Sequence, residues 1–424
     1  MDNQLPPGRI LAVLALVAAA SVLTACCGIT APDIPLLGSK TGQGTPTPQA
    51  SPTPSATPEP STALSPAHIW VAVEGLADSV LSVAPAGDMK VVRLPLNEGQ
   101  QASDVTASGD ASTLAYLVWD EEGSQHGIAT WNLEEANARL IAQPLPGYRI
   151  TALYLTEEAD ALAYVLVEEG ALFSEADWRV ESVSGPGDEP ALLANREAMP
   201  DSAPPALVAW PDGGSLWLDF TAPDGTSQGI YAIDPDTLDC VRRIPVEDAE
   251  VEDRLVVGAA LSPDGERLAY LTYEGEAPAD PSATNVARVV DLTGGETITM
   301  TPPEGQAIYG LRWHPDAQRL LFDMVQSPLD EEGDTTQRWA LAEVGQSPPW
   351  SGSALGPERE YLFDYRPYGD GVVFTVLPAS EAWELYLITN LTGDGGLRTY
   401  SLAGIAQEFG APKIIHVPLP APLP

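Results

Sequence analysis

The sequence predicts an all-β fold, a seven-bladed propeller of four-stranded blades, and three observations predict it. A turn signature recurs every 52 residues, at Trp210-Pro211-Asp212, Ser262-Pro263-Asp264 and His314-Pro315-Asp316. Six residues beyond the first residue of each turn, Leu216, Leu268 and Leu320 open an apolar strand, so the offset is as constant as the period. No stretch after residue 66 carries a ten-residue helical stripe; short alternating runs are separated by Gly, Pro and Asp. A period of this length marks copies of one supersecondary unit that buries its faces only by stacking on its neighbours.

The chain opens with Arg9, an apolar run from Ile10 to Ala20, and Leu23-Thr24-Ala25-Cys26. That order of charge, apolar segment and small residue before a cysteine reads as an export signal. The final four residues resemble the lipobox of bacterial lipoproteins, with Ala25 small enough for the signal-peptidase pocket. The resemblance implies a mature chain starting at Cys26, acylated there and anchored in a membrane of the bacterial cell envelope, with palmitate among its acyl chains. An uncleaved membrane helix or an ordinary signal peptide is the competing reading; Ile10 to Ala25 is short for a bilayer span. Residues 1–25 are therefore assigned to the signal, 26–66 to a lipidated tether and 67–420 to the propeller.

The tether holds Thr45-Pro46-Thr47-Pro48, Ser51-Pro52-Thr53-Pro54 and Pro58-Glu59-Pro60 with few apolar residues between them. Such a segment buries too little to offset its ordering entropy, so it is expected to be a disordered, extended spacer. At roughly 3 Å per residue it could hold the folded body on the order of 100 Å from the lipid.

Each unit then reads as four strands. In the clearest one, Val256 to Ala260 is the inner strand, Ser262-Pro263-Asp264-Gly265 the hairpin turn and Leu268 to Leu271 the second strand. Val286 to Asp291 and Glu296 to Met300 supply the third and outer strands. Proline fixes φ early in the turn, Asp264 can accept backbone amides beyond it, and glycine tolerates the reversed conformation. Six such motifs begin near residues 104, 150, 206, 256, 308 and 360. Before them stand three strands, from Ile69, Ser79 and Met89, and after them one, Lys413 to Val417. The C-terminal strand is expected to complete the N-terminal blade, a mixed-terminus closure of seven blades; six blades with terminal extensions is the alternative.

The Ser-Pro-Asp-Gly turn followed by Leu268-Ala269-Tyr270 resembles the β-propeller repeats of the TolB family, a WD-like class, and those of prolyl oligopeptidase propellers. The match is strong at 262–270, good at 210–218 and 314–322, and degenerate elsewhere. The resemblance implies the fold; its members include partner-binding periplasmic proteins and propellers attached to hydrolases. No α/β-hydrolase domain is expected after these repeats.

Among 424 residues, 60 are acidic and 20 are Lys or Arg, a formal net charge of -40. Lysine occurs only at positions 40, 90 and 413. Such a chain is repelled by nucleic acid and by anionic lipid surfaces. Only Cys26, Cys27 and Cys240 are present, so no disulfide framework is expected, and Cys240 reads as a small core residue. The acids Asp110, Glu158, Asp212, Asp264 and Asp316 share one repeat position, which forms a ring on one face; turn bonding explains them better than a cation site. Trp210 reads as a lid over blade packing.

Binding is expected on the opposite rim, where loops vary on a rigid scaffold. Its acidic loops carry Asp120, Glu121 and Glu122, then Glu274, Glu276 and Asp280, then Asp330, Glu331, Glu332 and Asp334, with Trp350 in a long connector. They suit a basic protein, peptide or polymer. No His-Glu-x-x-His, Gly-x-Ser-x-Gly or phosphate-loop motif occurs, and the four histidines are scattered, so no catalytic residue, metal or cofactor is expected. The function expected is an envelope-anchored binding or assembly scaffold, monomeric. The alternative is a propeller glycoside hydrolase or lyase acting on an extracellular polymer.

Overall fold

The computed structural model describes residues 64–418 apart from 74–75, 86, 136, 173–174, 200–201, 212–213, 222–226, 245–255, 275–283, 327–336, 349, 355–358, 379–382, 392–396 and 403–410. The signal, Cys26 and all of the tether but residues 64–66 lie outside the described residues.

Seven antiparallel four-stranded sheets form seven blades. Blade 1 takes the closing strand Pro412–His416 as its innermost strand, beside Ile69–Val73, Ser79–Val83 and Met89–Arg93. Val71 pairs Ile414 and Ala72 pairs Lys413, so the mixed-terminus closure expected from sequence is the one found. The inner strands of blades 2 to 7 are Gln100–Ala107, Tyr148–Leu155, Ala206–Ala209, Val256–Leu261, Gln306–Trp313 and Arg359–Tyr368. Each inner strand touches the next, and the last touches the closing strand, so the seven ring one axis.

The core is a set of seams rather than one body. Seven apolar clusters each join two successive blades: 1 to 2, 2 to 3, 3 to 4, 4 to 5, 5 to 6, 6 to 7, and 7 back to 1. A blade with two apolar faces has no stable isolated form, and ring closure gives each face a partner. Trp70, Trp178 and Trp339 are fully buried in three different seams. Leu216, Leu268 and Leu320, the residues that mark the repeat, are fully buried as well.

The repeated turns are bonded as their composition requires. Asp264 Oδ1 accepts from Ser262 Oγ at 2.5 Å and from the Glu266 amide at 3.1 Å. Asp110 accepts from Ser108 Oγ at 2.6 Å and from the Ser112 amide at 2.9 Å. In blade 3 Thr156 Oγ1 donates to Asp160 at 2.6 Å, so an acid four residues on, not only two, serves this turn. Cys240 also departs from expectation. It begins an outer strand, at the solvent edge of its blade, and is exposed.

Candidate ligand site in the axial channel

Every inner strand is irregular at a recurring place. Register shifts fall between Ser103 and Thr106, Ile150 and Ala152, Leu207 and Ala209, Val257 and Ala260, Ile308 and Gly310, and Leu362 and Asp364. The closing strand shifts too, opposite Trp70 and Val71. A bulge adds an unpaired residue, bends the strand and re-aims side chains. Asp104 and Tyr309 are two of these added residues. Asp104 adopts φ 48°, a left-handed conformation that non-glycine residues rarely take. Gly258 stands at the same repeat position in blade 5, with φ 64°.

The inner strands also bring an ionic cluster together. Arg312 and Asp364 stand two residues before the turn residues His314 and Arg366, and Tyr154 holds that position in blade 3. Asp364 is buried, and each of its oxygens accepts one backbone amide: Oδ1 from Tyr365 at 2.8 Å and Oδ2 from Ile414 at 2.9 Å. Arg366 Nη1 lies 3.8 Å and Arg312 Nη2 4.0 Å from Oδ1, ion pairs too long to be hydrogen bonds. Arg312 also lies over the Tyr365 ring, 5.3 Å from its centroid, and its buried Nε has no hydrogen-bond partner.

Lys413, from the closing strand, completes the cluster. Its charge interacts with Asp104 of blade 2, with Asp364 and Arg366 of blade 7, and with Arg312 of blade 6. Arg366 in turn interacts with Tyr154 of blade 3. Blades 7 and 3 are not neighbours, nor are blades 1 and 6, so these interactions run across the axis. Asp104 and Lys413 keep water-accessible surface while protein surrounds them, the condition of groups that line a channel.

That enclosure shifts their titration. Desolvation lowers the Lys413 amine below its ordinary value, against the pull of Asp104 and Asp364. Desolvation raises Asp104, opposed by Lys413 and the Ser103 hydroxyl. For Arg366, Asp364 favours the charged form, but desolvation and Arg312 outweigh it and the guanidinium falls below its usual range. Burial pushes the Tyr365 hydroxyl up. Tyr309, half exposed on the inner strand of blade 6, is raised by burial and by Asp323, whose charge also acts on Tyr365.

The acids expected on the loop rim are placed differently. Asp120 serves its own hairpin: its Oδ1 accepts from the Ser124 amide at 2.8 Å, and its Oδ2 lies 3.6 Å from His126 Nε2. Glu121 and Glu122 are exposed on the same turn. Glu274 ends the second strand of blade 5, opposite Thr284. Its side chain and residues Glu276, Asp280, Asp330, Glu331, Glu332 and Asp334 lie outside what is described. Trp350 corrects the sequence reading. It is 8% exposed in the seam between blades 5 and 6, stacked on Phe322 with centroids 4.6 Å apart, and its indole N–H donates to the Gln346 carbonyl at 3.0 Å. A ring held this way packs the fold and presents no face to a ligand. Among the described residues, no group of three or more His, Cys, Asp or Glu could hold a metal ion.

No family model and no curated protein matches the chain. Solved structures do. Prolyl oligopeptidase B from Galerina marginata, bound to a macrocyclization substrate, superposes with a TM-score of 0.54 at 12% identity, over 80% of this chain and 50% of that one. An oligogalacturonate lyase from Vibrio parahaemolyticus gives 0.52 at 12% identity, over 77% and 84%. A prolyl endopeptidase gives 0.53 at 10% identity, over 83% and 51%. The chain thus spans about half the length of these two peptidases. At such identities the likeness is one of fold: a seven-bladed propeller related to other propeller-containing proteins, enzymes among them.

Proposed function

We propose that this protein is a binding propeller, held at the bacterial cell envelope by an acylated Cys26 and a Pro-rich tether, that captures its ligand in the axial channel. The observation that carries the reading is the convergence of Arg312, Arg366 and Lys413 with Asp104 and Asp364 on the axis, donated by four blades. Charges partly withdrawn from water lose solvation that a partner group restores. Here their mutual pairing is loose, with contacts of 3.8 and 4.0 Å, so a ligand is the natural complement. The TolB-like reading of the repeat is supported by the Ser262–Asp264 turn bond, and the lipoprotein reading by Leu23-Thr24-Ala25-Cys26. Asp120's engagement in its own hairpin favours the channel over the acidic rim.

A second reading, a propeller lyase or hydrolase acting on an extracellular polymer, is favoured by one feature. Asp104 and Lys413, an acid with raised pKa and an amine with lowered pKa, interact in the same channel, and such pairs suit proton transfer. One experiment separates the two. The protein is incubated with a panel of oligosaccharides and peptides, and bound material is recovered and weighed by mass spectrometry. Intact ligand retained by wild type and lost by Lys413→Met and Arg366→Met supports binding; shortened products that disappear in Lys413→Met support cleavage. Retention that ignores both substitutions would remove the channel from either account. Mass spectrometry of the mature N-terminal peptide should find acyl chains on Cys26, and Cys26→Ala should release the protein from the membrane fraction.

A further inference from the structure

We infer that the outer edge of blade 4 is the surface through which two copies of this chain pair, strand against strand, in place of the monomer expected from the sequence. The edge is the strand Cys240–Ile244, entered through a turn that starts at Asp234. Its outward side is an unpaired row of backbone donors and acceptors, a template for one more strand. Apolar side chains stand on it: Leu238 is 51% and Val241 45% exposed, and no comparable stretch of the described residues holds two exposed large apolar side chains.

Leu238 is the more telling of the two, because blade 5 has glycine at the same point of the same turn. There the Gly295 amide donates to the Asp291 carbonyl at 2.8 Å, and the Asp291 amide to the Glu296 carbonyl at 2.9 Å. In blade 4 the Leu238 amide donates to the Asp234 carbonyl at 2.9 Å, and the Asp234 amide to the Asp239 carbonyl at 3.1 Å. Gly295 has φ 71° and Leu238 φ 60°. Glycine takes that left-handed conformation freely, whereas a leucine there is strained. Neither its backbone nor burial in its own chain accounts for this leucine; an apolar contact outside the chain does.

The sequence of the edge says what makes that contact. Leu238-Asp239-Cys240-Val241-Arg242-Arg243-Ile244 is self-complementary about Val241. A twofold axis at Val241, perpendicular to the sheet, lays two such edges antiparallel. Val241 then meets its own copy, Asp239 meets Arg243 of the second copy, and Leu238 meets Ile244 of the second copy. Opposite charges and apolar pairs directly across are what stabilise neighbouring strands. Arg243 is the unpaired residue of a bulge that ends the regular pairing of Cys240 to Arg242 within the blade. Asp239 and Arg243 are exposed, and neither makes an ion pair within its own chain among the described residues. Repulsion between two acidic chains is screened beyond about 8 Å at physiological ionic strength, so these local pairs decide the contact. One pair of short edges covers less than the roughly 800 Å² per partner of a standard interface, which makes the dimer a weak one.

The test is sedimentation equilibrium of the full chain in density-matched non-ionic detergent at rising concentration, with disulfide trapping beside it. Wild type is expected to dimerise. Arg243→Asp should weaken the dimer on the order of tenfold, since the twofold axis counts each change twice, and adding Asp239→Arg, which exchanges the two charges, should restore it. Leu238→Gly should also weaken the dimer while melting no lower than wild type, because the leucine serves the partner and strains its own turn. In a Cys27→Ser, Cys240→Ser background, Val241→Cys should form an intermolecular disulfide on mild oxidation, because residues directly opposed across an antiparallel edge lie within disulfide reach. Leu192→Cys, on the outer strand of blade 3, should not, and peptide mapping locates each bond. A monomer at every concentration overturns the inference, as does a dimer indifferent to the charge reversal. Leu238→Gly melting lower with association unchanged would assign that leucine to its own fold and overturn it too. Trapping of Val241→Cys on a different protein would show that the edge serves another partner, and the second copy would be wrong.

Discussion

Asp364→Asn tests the channel's internal logic most directly, because the carboxylate performs two kinds of work. It accepts one backbone amide from its own blade, Tyr365, and one from the closing strand, Ile414, at 2.8 and 2.9 Å. It is also the nearest negative charge to Arg312 and Arg366. Asparagine keeps the shape but has a single acceptor oxygen, and its amide nitrogen cannot receive an N–H. One of the two amides therefore loses its acceptor in a site where Asp364 itself is 7% exposed, which costs about 1–3 kcal/mol. The unbalanced guanidiniums add less than a fully buried pair would, because their side chains are 38% and 33% exposed and water screens them; about 1 kcal/mol is appropriate. The sum is a loss of roughly 2–4 kcal/mol. Guanidinium denaturation followed by fluorescence measures it. Hydrogen exchange should locate part of it in the closing strand Pro412–His416, which blade 7 otherwise holds through Thr375 Oγ1 and the Pro412 carbonyl at 2.9 Å. A destabilisation under about 0.5 kcal/mol, with exchange of that strand unchanged, would refute the claim that Asp364 fastens the ring and balances the arginines.

Asp104→Gly and Asp104→Ala should separate in stability by about 1 kcal/mol in favour of glycine, because only glycine adopts φ 48° without strain; equal denaturation midpoints would show that the strain is absent. Gly310→Ala would drive a Cβ into the Tyr365 hydroxyl, and the overpacking should cost about 1–3 kcal/mol, recovered in part by the double variant with Tyr365→Phe. Burial raises Asp219 to about 7 and leaves its Oδ1 without a partner. The folded state therefore holds a proton that the unfolded state releases near the ordinary carboxyl value of 3.8, so stability is highest below that pH and falls as pH rises toward 7. Asp219→Asn should flatten the melting-temperature profile between those limits; a profile identical to wild type would contradict the assignment.

The fold was legible because its determinants are periodic. Leu216, Leu268 and Leu320 sit at one offset from one turn, and burying them requires a neighbouring blade, so period and offset together name the ring. The closure was legible for a related reason: three strands before the first complete unit and one after the last add up to one blade, and the pairing of Val71 with Ile414 decides for it over six blades with terminal extensions. The site was not legible, because it is built where periodicity fails. The position two residues before the repeated turn residue reads Thr106, Tyr154, Val208, Ala260, Arg312 and Asp364, with no shared chemistry to recognise. Asp104 and Tyr309 sit on bulges, where the period-2 rule that assigns strand faces breaks down. One signal was available: in a chain with three lysines, Lys413 stands alone in the predicted closing strand. Trp350 misled in the opposite direction, since a tryptophan in a long connector invites a surface role, and only the packing against Phe322 shows that it fills a seam.

The overall charge of -40 bears on what approaches the molecule more than on the channel itself. Exposed carboxylates act through salt water, and their influence decays over about 8 Å at physiological ionic strength. Arg312, Arg366 and Lys413 act inside a channel walled by protein, where the same charges interact more strongly and over less screened distances. The field of the exterior and the charges on the axis therefore act largely apart. The ring tolerates three of twenty cations on the axis because carboxylates accompany them: Asp104 and Asp364 act on Lys413, and Asp364 and Asp323 share the surroundings of Tyr365 with Arg312 and Arg366. A cluster meant only to fasten blades would be expected to close its pairs at hydrogen-bond distance, as Arg319 does with Asp316 at 2.7 Å and Asp370 at 2.6 Å on the turn face between blades 6 and 7. The channel arginines stop short of that distance, and the difference between the two clusters is what separates a stitch from a site.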